Sequence, residues 1–407
     1  MSKIAIMGYG TVGSGTVELF YKHKDKLCRT LSVDLDIKYI LEIRDLPDDP
    51  YYNKMIKDIN IILDDPEIKI VAEVMGGLNP AFDFVMRCLT HGKSVVTSNK
   101  ELVAKKGAIL LKTAAENDCN FFFEASTGGA IPIIRPLHEC LAADEVYSVE
   151  GILNGTTNFI LTKILSENMP YEKALKLSQE LGYAEKDPTA DVSGADSCRK
   201  ICILASLAFG KHVYPEWVYT EGITQIKKED AEYAKAYNSV IKLIASAKRC
   251  DNGKIAVSVR PELVCRDNQL SGVIDVFNAV TVYGEAAGEL MFYGRGAGKL
   301  PTASAVVADI ACAAIADGTS RTQTWEDSTD SDFIADSKSI PEAFYILAKN
   351  TGEGAIKAAF GEVLYLSREN QPPEEFAFIV PITTEIELDE KISNFGGEIV
   401  SKYVING

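Results

Sequence analysis

A short stretch in the middle of the chain carries carboxylates and a lysine, residue types that bind ammonium groups and transfer protons. These side chains are Glu185, Asp187, Asp191, Asp196 and Lys200. Pro188 and Gly194 interrupt the first part of the stretch, which predicts a loop there. From Gly194 to Gly210 the pattern predicts one helix, so Asp196 and Lys200 would form an i, i+4 pair on one face.

That helix face continues through Ile203 and Leu207, which favours an inward orientation. A carboxylate and an ammonium group turned inward are unfavourable unless they are paired or used in a reaction. The alternative is a salt bridge on the helix surface beside a solvated acidic loop. This stretch alone does not decide between the two interpretations.

The amino terminus has a glycine pattern typical of dinucleotide binding. The segment that begins at Lys3 continues with four apolar residues and predicts a strand, and Gly8, Gly10 and Gly13 then lead into a helical pattern. Glycines let the backbone approach a pyrophosphate, and the helix N-terminus faces its negative charge. A purely structural turn in an α/β domain is the alternative. We favour dinucleotide binding because the pattern follows a strand and opens a helix.

The elements that would position these groups alternate between strand and helix, which predicts an α/β fold with a parallel, Rossmann-like sheet. Ligands of such sheets lie beyond the carboxyl ends of the strands. The residues predicted at those ends are Gly76, Thr97, Ser98 and Lys100. Lys100 would open a helix, where a cation opposes the helix dipole, so we expect a functional role rather than simple solvation.

The end of the second predicted strand bears on the choice of cofactor. An acid there favours the free ribose hydroxyls of NAD, whereas an arginine accommodates the 2′-phosphate of NADP. Glu42 and Arg44 both occur, on the same side of an alternating strand. We expect NADP through Arg44, with two charges at an exposed strand end as the alternative.

The composition excludes several classes of function. The chain has 407 residues, a formal net charge of −16, nine cysteines and four histidines. This charge argues against nucleic acid as a partner, and no apolar run approaches the roughly 20 residues of a membrane span. The cysteines indicate free thiols in a reducing cytoplasm, and the histidine spacing does not suggest a transition-metal site. The length predicts two or three domains.

Six motifs, taken in order, resemble those of homoserine dehydrogenases over residues 1 to about 318. They are Gly8–Gly13, Val96–Lys100, Glu124–Pro132, Gly151–Asn158, Leu181–Asp191 and Phe292–Thr302. The resemblance implies NAD(P)-dependent interconversion of L-homoserine and L-aspartate 4-semialdehyde, on the pathway to threonine and methionine. It also implies a homodimer or homotetramer.

The resemblance assigns roles residue by residue. Lys200 would be the acid/base, Lys100 a second active-site lysine near the nicotinamide, and Glu185 and Asp196 would bind substrate with Asp191 close by. The residues expected at the cofactor are Gly8, Gly10, Thr11, Val12, Gly13, Arg44, Thr97, Lys100 and Gly298. The residues expected at a sodium ion are Glu124 and, through their carbonyls, Thr127, Gly129 and Ile131. From the residues alone, the Glu124 segment could cage a hard cation or be only a turn.

The chain is predicted to divide into several domains. We expect a dinucleotide-binding domain at 1–135 with about 300–318, an α+β substrate and dimerisation domain at 136–299, and a linker at 319–338. Residues 339–407 predict a βαββαβ, ferredoxin-like module. Its position resembles that of the ACT regulatory domain of longer homoserine dehydrogenases. Asn350–Gly354 replaces the usual Asp-x-Pro-Gly turn, so amino-acid feedback and a purely dimerising role both stay open.

Two other functions must be compared with this one. A non-catalytic nucleotide sensor would have a dinucleotide domain and an ACT-like tail, but it would not need Lys100 or an inward Asp196–Lys200 pair. Aspartate-semialdehyde dehydrogenase would need a cysteine nucleophile with a histidine base. None of the cysteines lies in a turn suited to that role.

Overall fold

The computed structural model describes residues 2–316 and 325–407. The strands are β1 (Ser2–Met7), β2 (Leu35–Leu41), β3 (Met55–Ile56), β4 (Ile68–Glu73), β5 (Ser94–Thr97), β6 (Phe121–Phe122), β7 (Val146–Ile152), β8 (Tyr219–Thr220), β9 (Ser239–Arg249), β10 (Ile255–Cys265), β11 (Phe277–Gly284), β12 (Gly288–Arg295), β13 (Pro341–Lys349), β14 (Leu364–Leu366), β15 (Glu375–Thr384) and β16 (Glu398–Asn406). The helices are α1 (Thr11–Leu31), α2 (Asn60–Asp64), α3 (Ala81–Thr90), α4 (Lys100–Glu116), α5 (Gly155–Glu167), α6 (Tyr171–Glu180), α7 (Thr189–Val192), α8 (Ala195–Phe209), α9 (Lys228–Ala236), α10 (Lys299–Ile315), α11 (Glu353–Phe360) and α12 (Glu385–Ser393).

The chain forms two compact units. The first unit comprises Met1–Tyr147, Cys202–Glu216 and Tyr283–Thr329. The second unit comprises Ser148–Ile201, Trp217–Val282 and Asp330–Gly407.

The first unit contains a parallel sheet with the strand order β3-β2-β1-β4-β5-β6. Helices α1 and α10 pack on it, and residues such as Ile6, Val17, Phe20 and Ile310 form an apolar core between helix and sheet. The predicted Rossmann-like parallel sheet is confirmed. Because successive parallel strands are joined by helices, the carboxyl ends of β1, β4 and β5 meet at one edge of the sheet.

The second unit contains a mixed sheet with the strand order β11-β7-β9-β10-β16-β13-β15-β14, and β8 pairs with β10. Strands β9 and β10 form a long antiparallel hairpin from Ser239 to Cys265. Strand β7 pairs with β9 through residues 148–151. This pairing fixes the position at which β7 ends and α5 begins.

The C-terminal part of the second unit has the predicted βαββαβ order, formed by β13, α11, β14, β15, α12 and β16. Its strand order, β16-β13-β15-β14, is that of a ferredoxin-like sheet. Strand β16 also pairs in parallel with β10, where Glu262 lies opposite Val404. The module is therefore continuous with the sheet of its unit. The proposed domain boundaries stay a prediction, and residues 319–324 of the expected linker lie outside the described residues.

One prediction about the first sheet is wrong. Glu42 and Arg44 were expected on one side of a continuing strand, but β2 ends at Leu41. Only the extent of the strand differs, because the Arg44 side chain folds back and binds the Glu42 carboxylate, so the two side chains still lie together. Across residues 2–316 and 325–407, no helix has the length and apolar character needed to cross a membrane.

Candidate active site

The Asp196–Lys200 pair forms as predicted and is buried. Gly194, at φ +84°, turns the chain into α8, which begins one residue before Asp196. Asp196 is 2% exposed and Lys200 is 6% exposed, so the surface alternative is wrong. Lys200 Nζ lies 2.8 Å from Asp196 Oδ2 and donates to the carbonyl of Leu153 at 2.7 Å. The amine is thereby fixed between a carboxylate and a backbone acceptor.

Asn154 joins this pair and was not assigned a role from the sequence. Its Oδ1 accepts from the backbone N–H of Thr157, so it is the N-cap of α5. Its Nδ2 donates to Asp191 Oδ1 at 2.7 Å and to Asp196 Oδ2 at 2.8 Å. An asparagine before a helical pattern signals a cap, but its contact with two distant carboxylates depends on the tertiary fold.

The structure brings Asp191 into this cluster but does not show the same for the other two acids of the loop. The Glu185 side chain is exposed, and the hydrogen bond described there is accepted by its main-chain carbonyl, from Gln179. Asp187 is also exposed and accepts from the hydroxyl and the N–H of Thr189, which lowers the pKa of its carboxyl. Asp187 therefore shapes the loop, and substrate binding by Glu185 stays a prediction.

In the first unit, the glycine turn between β1 and α1 has the geometry that a dinucleotide requires. Gly8 has φ +98°, and a Cβ at Gly13 would lie 2.1 Å from the Gly8 carbonyl oxygen, so neither position tolerates a side chain. A Cβ at Gly10 would meet no heavy atom within 4 Å. The backbone at the start of α1, with Thr11 and Val12 in its first turn, is thus open to an anionic ligand.

The Glu42 carboxylate at the end of β2 is occupied by donors of the protein. It accepts from the N–H of Tyr9 at 3.1 Å and from the N–H, Nε and Nη2 of Arg44 at 2.9 to 3.0 Å. The Arg44 hydrogen bonds hold the pKa of Glu42 at about 2. Arg44 also donates to the Tyr9 carbonyl, while its side chain remains 55% exposed. This end of the strand therefore presents a cation rather than a free acid.

A buried acid that the sequence did not reveal, Glu73, braces the ends of β4 and β5. It accepts from the Thr97 hydroxyl at 2.6 Å and from the N–H groups of Met75 and Gly76. Desolvation raises the pKa of this carboxyl. Thr97 is 1% exposed, and its hydroxyl also accepts from the N–H of Asn99. The Thr97 side chain thus supports the strand end, and its role at the cofactor stays a prediction.

Lys100 is the first residue of α4 and lies three positions after Thr97, which contacts Glu73. Its neighbour Asn99 caps the helix by accepting from Leu102 N–H and donates to the Gly77 carbonyl at 2.6 Å. The Asn99–Gly77 hydrogen bond therefore joins the loops after β4 and β5 next to Lys100, which is partly exposed. Gly298, at φ +122°, similarly allows the turn into α10, and its role at the cofactor stays a prediction.

The carboxylate of Glu124, a residue expected at the sodium site, is occupied by donors of the protein. Its Oε1 accepts from the N–H groups of Ile133 and Ile134, and its Oε2 accepts from Arg135 N–H at 3.0 Å with Arg135 Nε at 3.2 Å. Four donors fill the lone-pair directions of the carboxylate, and one of them is cationic. Sodium binding by the carbonyls of Thr127, Gly129 and Ile131 stays a prediction.

Buried Asp309 completes this cluster on the side of α10. It accepts from the Glu124 N–H at 2.8 Å, and Arg135 Nη1 lies 3.7 Å away. Burial raises the pKa of Asp309 to about 8. The cluster therefore anchors the turn before Pro132 to α10 through polar contacts.

Parallel sheets with an open glycine turn of this kind bind nicotinamide dinucleotides, and a buried lysine held by a carboxylate suits proton transfer to and from an alcohol. Fold and chemistry together define a nicotinamide-dependent dehydrogenase.

Comparison with known proteins identifies the family. Residues 8–124 match the family model described as "Homoserine dehydrogenase, NAD binding domain", and residues 132–311 match "Homoserine dehydrogenase". The homoserine dehydrogenase of Bacillus subtilis is 46% identical over 312 residues, which is 76% of this chain and 72% of that protein. The Synechocystis enzyme is 42% identical over 315 residues, again covering 76% and 72%.

Solved structures agree with this assignment. A homoserine dehydrogenase from Thiobacillus denitrificans superposes with a TM-score of 0.90 at 31% identity, covering 100% of this chain and 98% of that one. A hyperthermophilic archaeal homoserine dehydrogenase in complex with NADPH has a TM-score of 0.65 at 27% identity, covering 77% and 97%.

The chain belongs to the homoserine dehydrogenase family. It is an NAD(P)-dependent oxidoreductase that acts on a CH–OH group, with homoserine and aspartate semialdehyde as its substrates. The function predicted from the sequence is confirmed, and the sensor alternative is set aside.

Proposed function

We propose that Lys200 is the general acid/base of the reaction. In the oxidising direction its neutral amine accepts the hydroxyl proton of homoserine, and in the reducing direction its ammonium returns that proton. The glycine turn at the start of α1 would hold a nicotinamide cofactor, which would accept or supply the hydride at the carbon that carries the hydroxyl. The observation that supports this role is the fixed position of Lys200 Nζ, 2.8 Å from Asp196 and 2.7 Å from the Leu153 carbonyl.

We infer that the carboxylates around Lys200 bind the substrate's ammonium group. Asp191 and Asp196 converge on Asn154, which places two negative charges beside the reacting amine. Asp196 is buried and Asp191 is partly buried, which strengthens the attraction for a cation because water is largely excluded. Glu185, exposed on the neighbouring loop, and Lys100 are the further substrate-contacting residues that the family resemblance implies.

NADP is the cofactor that the first unit favours. The exposed guanidinium of Arg44 suits a 2′-phosphate. The Glu42 carboxylate already accepts hydrogen bonds from Arg44 and from the N–H of Tyr9, so it is not available to bind free ribose hydroxyls. A homo-oligomer remains the expected assembly from the resemblance, and sedimentation of the purified protein would measure its size.

The pH dependence of a Lys200→Arg variant tests the central proposal. Arginine keeps the positive charge but does not release its proton at any accessible pH. We expect homoserine oxidation to fall by at least about 100-fold at every pH, in the range measured for loss of a general base. Wild-type rates in this variant would overturn the assignment.

A further inference from the structure

We propose that Asn154 is a positioning residue that holds Asp191 and Asp196 together beside Lys200 and so controls the charge around the reacting amine. The inference rests on the proposed role of Lys200. It adds to that role a residue that is neither acid nor base and whose contribution is purely geometric and electrostatic.

The Asn154 amide is fixed at both ends. Its Oδ1 accepts from Thr157 N–H at 2.8 Å, which assigns the oxygen to the helix and the nitrogen to the carboxylates. The nitrogen has two hydrogens, and the two contacts to Asp191 and Asp196 use both of them. Asn154 is 5% exposed, so water does not easily replace these donors. The amide can therefore hold both carboxylates in one orientation.

One oxygen of Asp196 is shared between the amide and the amine. Asp196 Oδ2 lies 2.8 Å from Asn154 Nδ2 and 2.8 Å from Lys200 Nζ. Among the contacts described at this point, the titratable groups are Asp191 from α7 and Asp196 and Lys200 from α8. Two carboxylates held this close repel each other, and the amide hydrogens offset part of that repulsion. Asn154 thus limits how strongly the two acids favour the ammonium form of Lys200.

Two substitutions separate this role from helix capping. Serine and aspartate both serve as N-caps, so Asn154→Ser and Asn154→Asp keep the acceptor for Thr157 N–H. Serine lacks the two amide donors, and aspartate replaces them with a third negative charge. Asn268 provides the matched control, because it also caps a short helix by accepting from Leu270 N–H and donates elsewhere, to Asn406.

The measurement is the pH dependence of kcat/KM for homoserine oxidation, with circular dichroism to confirm folding. We expect Asn154→Asp to raise the pH of half-maximal rate by about one unit, because an added carboxylate favours a neighbouring ammonium. Asn154→Ser should shift it in the same direction by less and lower kcat/KM by about tenfold, as for one lost charge-assisted hydrogen bond. Asn268→Ser should keep the wild-type profile.

An unchanged half-maximal pH in both Asn154 variants would overturn the proposal, even if their activity falls together with their melting temperature. That result would show a structural role only. If Asn154→Asp fails to fold, the profile of Asn154→Ser decides alone. The Lys200→Arg variant keeps the two claims apart, since its activity tests the acid/base role and the Asn154 profiles test the positioning role.

Discussion

Each buried carboxylate described above has donors around it, and the identity of those donors determines what the carboxylate can do. Glu42 and Glu124 are neutralised by arginine, so they shape loops and do not present a free negative charge. Asp196 is paired with a lysine that can lose its proton, and this difference makes it suitable for chemistry.

The Arg44–Glu42 contact leads to a prediction about cofactor preference. Arg44→Ala removes the cation expected at the 2′-phosphate and at the same time frees a carboxylate that would repel it. We expect kcat/KM with NADP to fall by at least about tenfold, as for a lost hydrogen bond to a charged group, while NAD changes little. Arg29→Ala, an exposed arginine near the end of α1, is the control. An unchanged ratio of NADP to NAD activity would exclude Arg44 from cofactor selection.

At the scale of elements, a polar contact joins β9, α5 and the segment before β11. Lys242 on β9 is 3% exposed, and its Nζ donates to Asn158 on α5 at 3.1 Å and to the carbonyl of Val273. Asn158 in turn donates to the carbonyls of Val273 and Phe277. This contact holds α5, whose N-terminus carries Asn154, against the sheet.

Lys242 should make stability depend on pH above neutrality. Burial lowers its pKa to about 8, so between that pH and its unfolded value the unfolded chain binds more protons than the folded chain. Stability contributed by this group therefore rises as pH increases from 8 to about 10.4, by up to about 3 kcal/mol at 1.36 kcal/mol per unit.

Denaturation at pH 8 and pH 10 measures this contribution. Lys242→Met should lack the rise that the wild type shows, whereas Lys248→Met, on the exposed end of the same strand, should keep it. Identical pH dependence in the wild type and Lys242→Met would contradict the account of this contact.

Local patterns predicted much of the fold and part of the site. The glycine turn at Gly8, the Asp196–Lys200 pair and the βαββαβ order all follow from neighbours in sequence, through backbone freedom and periodicity. Contacts between residues far apart in sequence were missed, and with them the roles of Asn154 and Glu73. Asn154 meets Asp191 and Asp196 across 37 and 42 positions, and Thr97 meets Glu73 across 24.

The same limit applies to the contact between His212 and Trp325. His212 accepts from Trp325 Nε1 at 2.8 Å, and its other ring nitrogen bonds the Ala104 carbonyl at 2.9 Å. The segment that contains Trp325 was predicted only as a polar linker. The two residues are 113 positions apart, so no local sequence pattern around either residue predicts the contact.

At the scale of the whole molecule, the C-terminal module is built into its unit by buried polar contacts as well as by strand pairing. Asp230 on α9 accepts from the hydroxyls of Tyr345, Ser401 and Tyr403, all in the module. Tyr233 donates to Glu375 of β15 at 2.8 Å. These contacts argue against a loosely attached accessory domain.

Deletion of residues 339–407 tests this integration. It would leave Asp230 and Tyr233 without these partners and expose an edge of β10, so we expect aggregation or a melting temperature lower by about 10 °C or more. Tyr345→Phe in the full chain removes one donor only and should cause a small decrease. A truncated protein that melts like the full chain would show that the module is independent.

The most direct test of the account is the turnover of a Lys200→Ala variant with homoserine and NADP, measured together with its cofactor affinity. We expect kcat to fall by about 100-fold or more, as for loss of a general acid/base, while cofactor affinity is unchanged because Lys200 is not part of the glycine turn that would bind the pyrophosphate. Near-wild-type turnover would remove Lys200 from the mechanism.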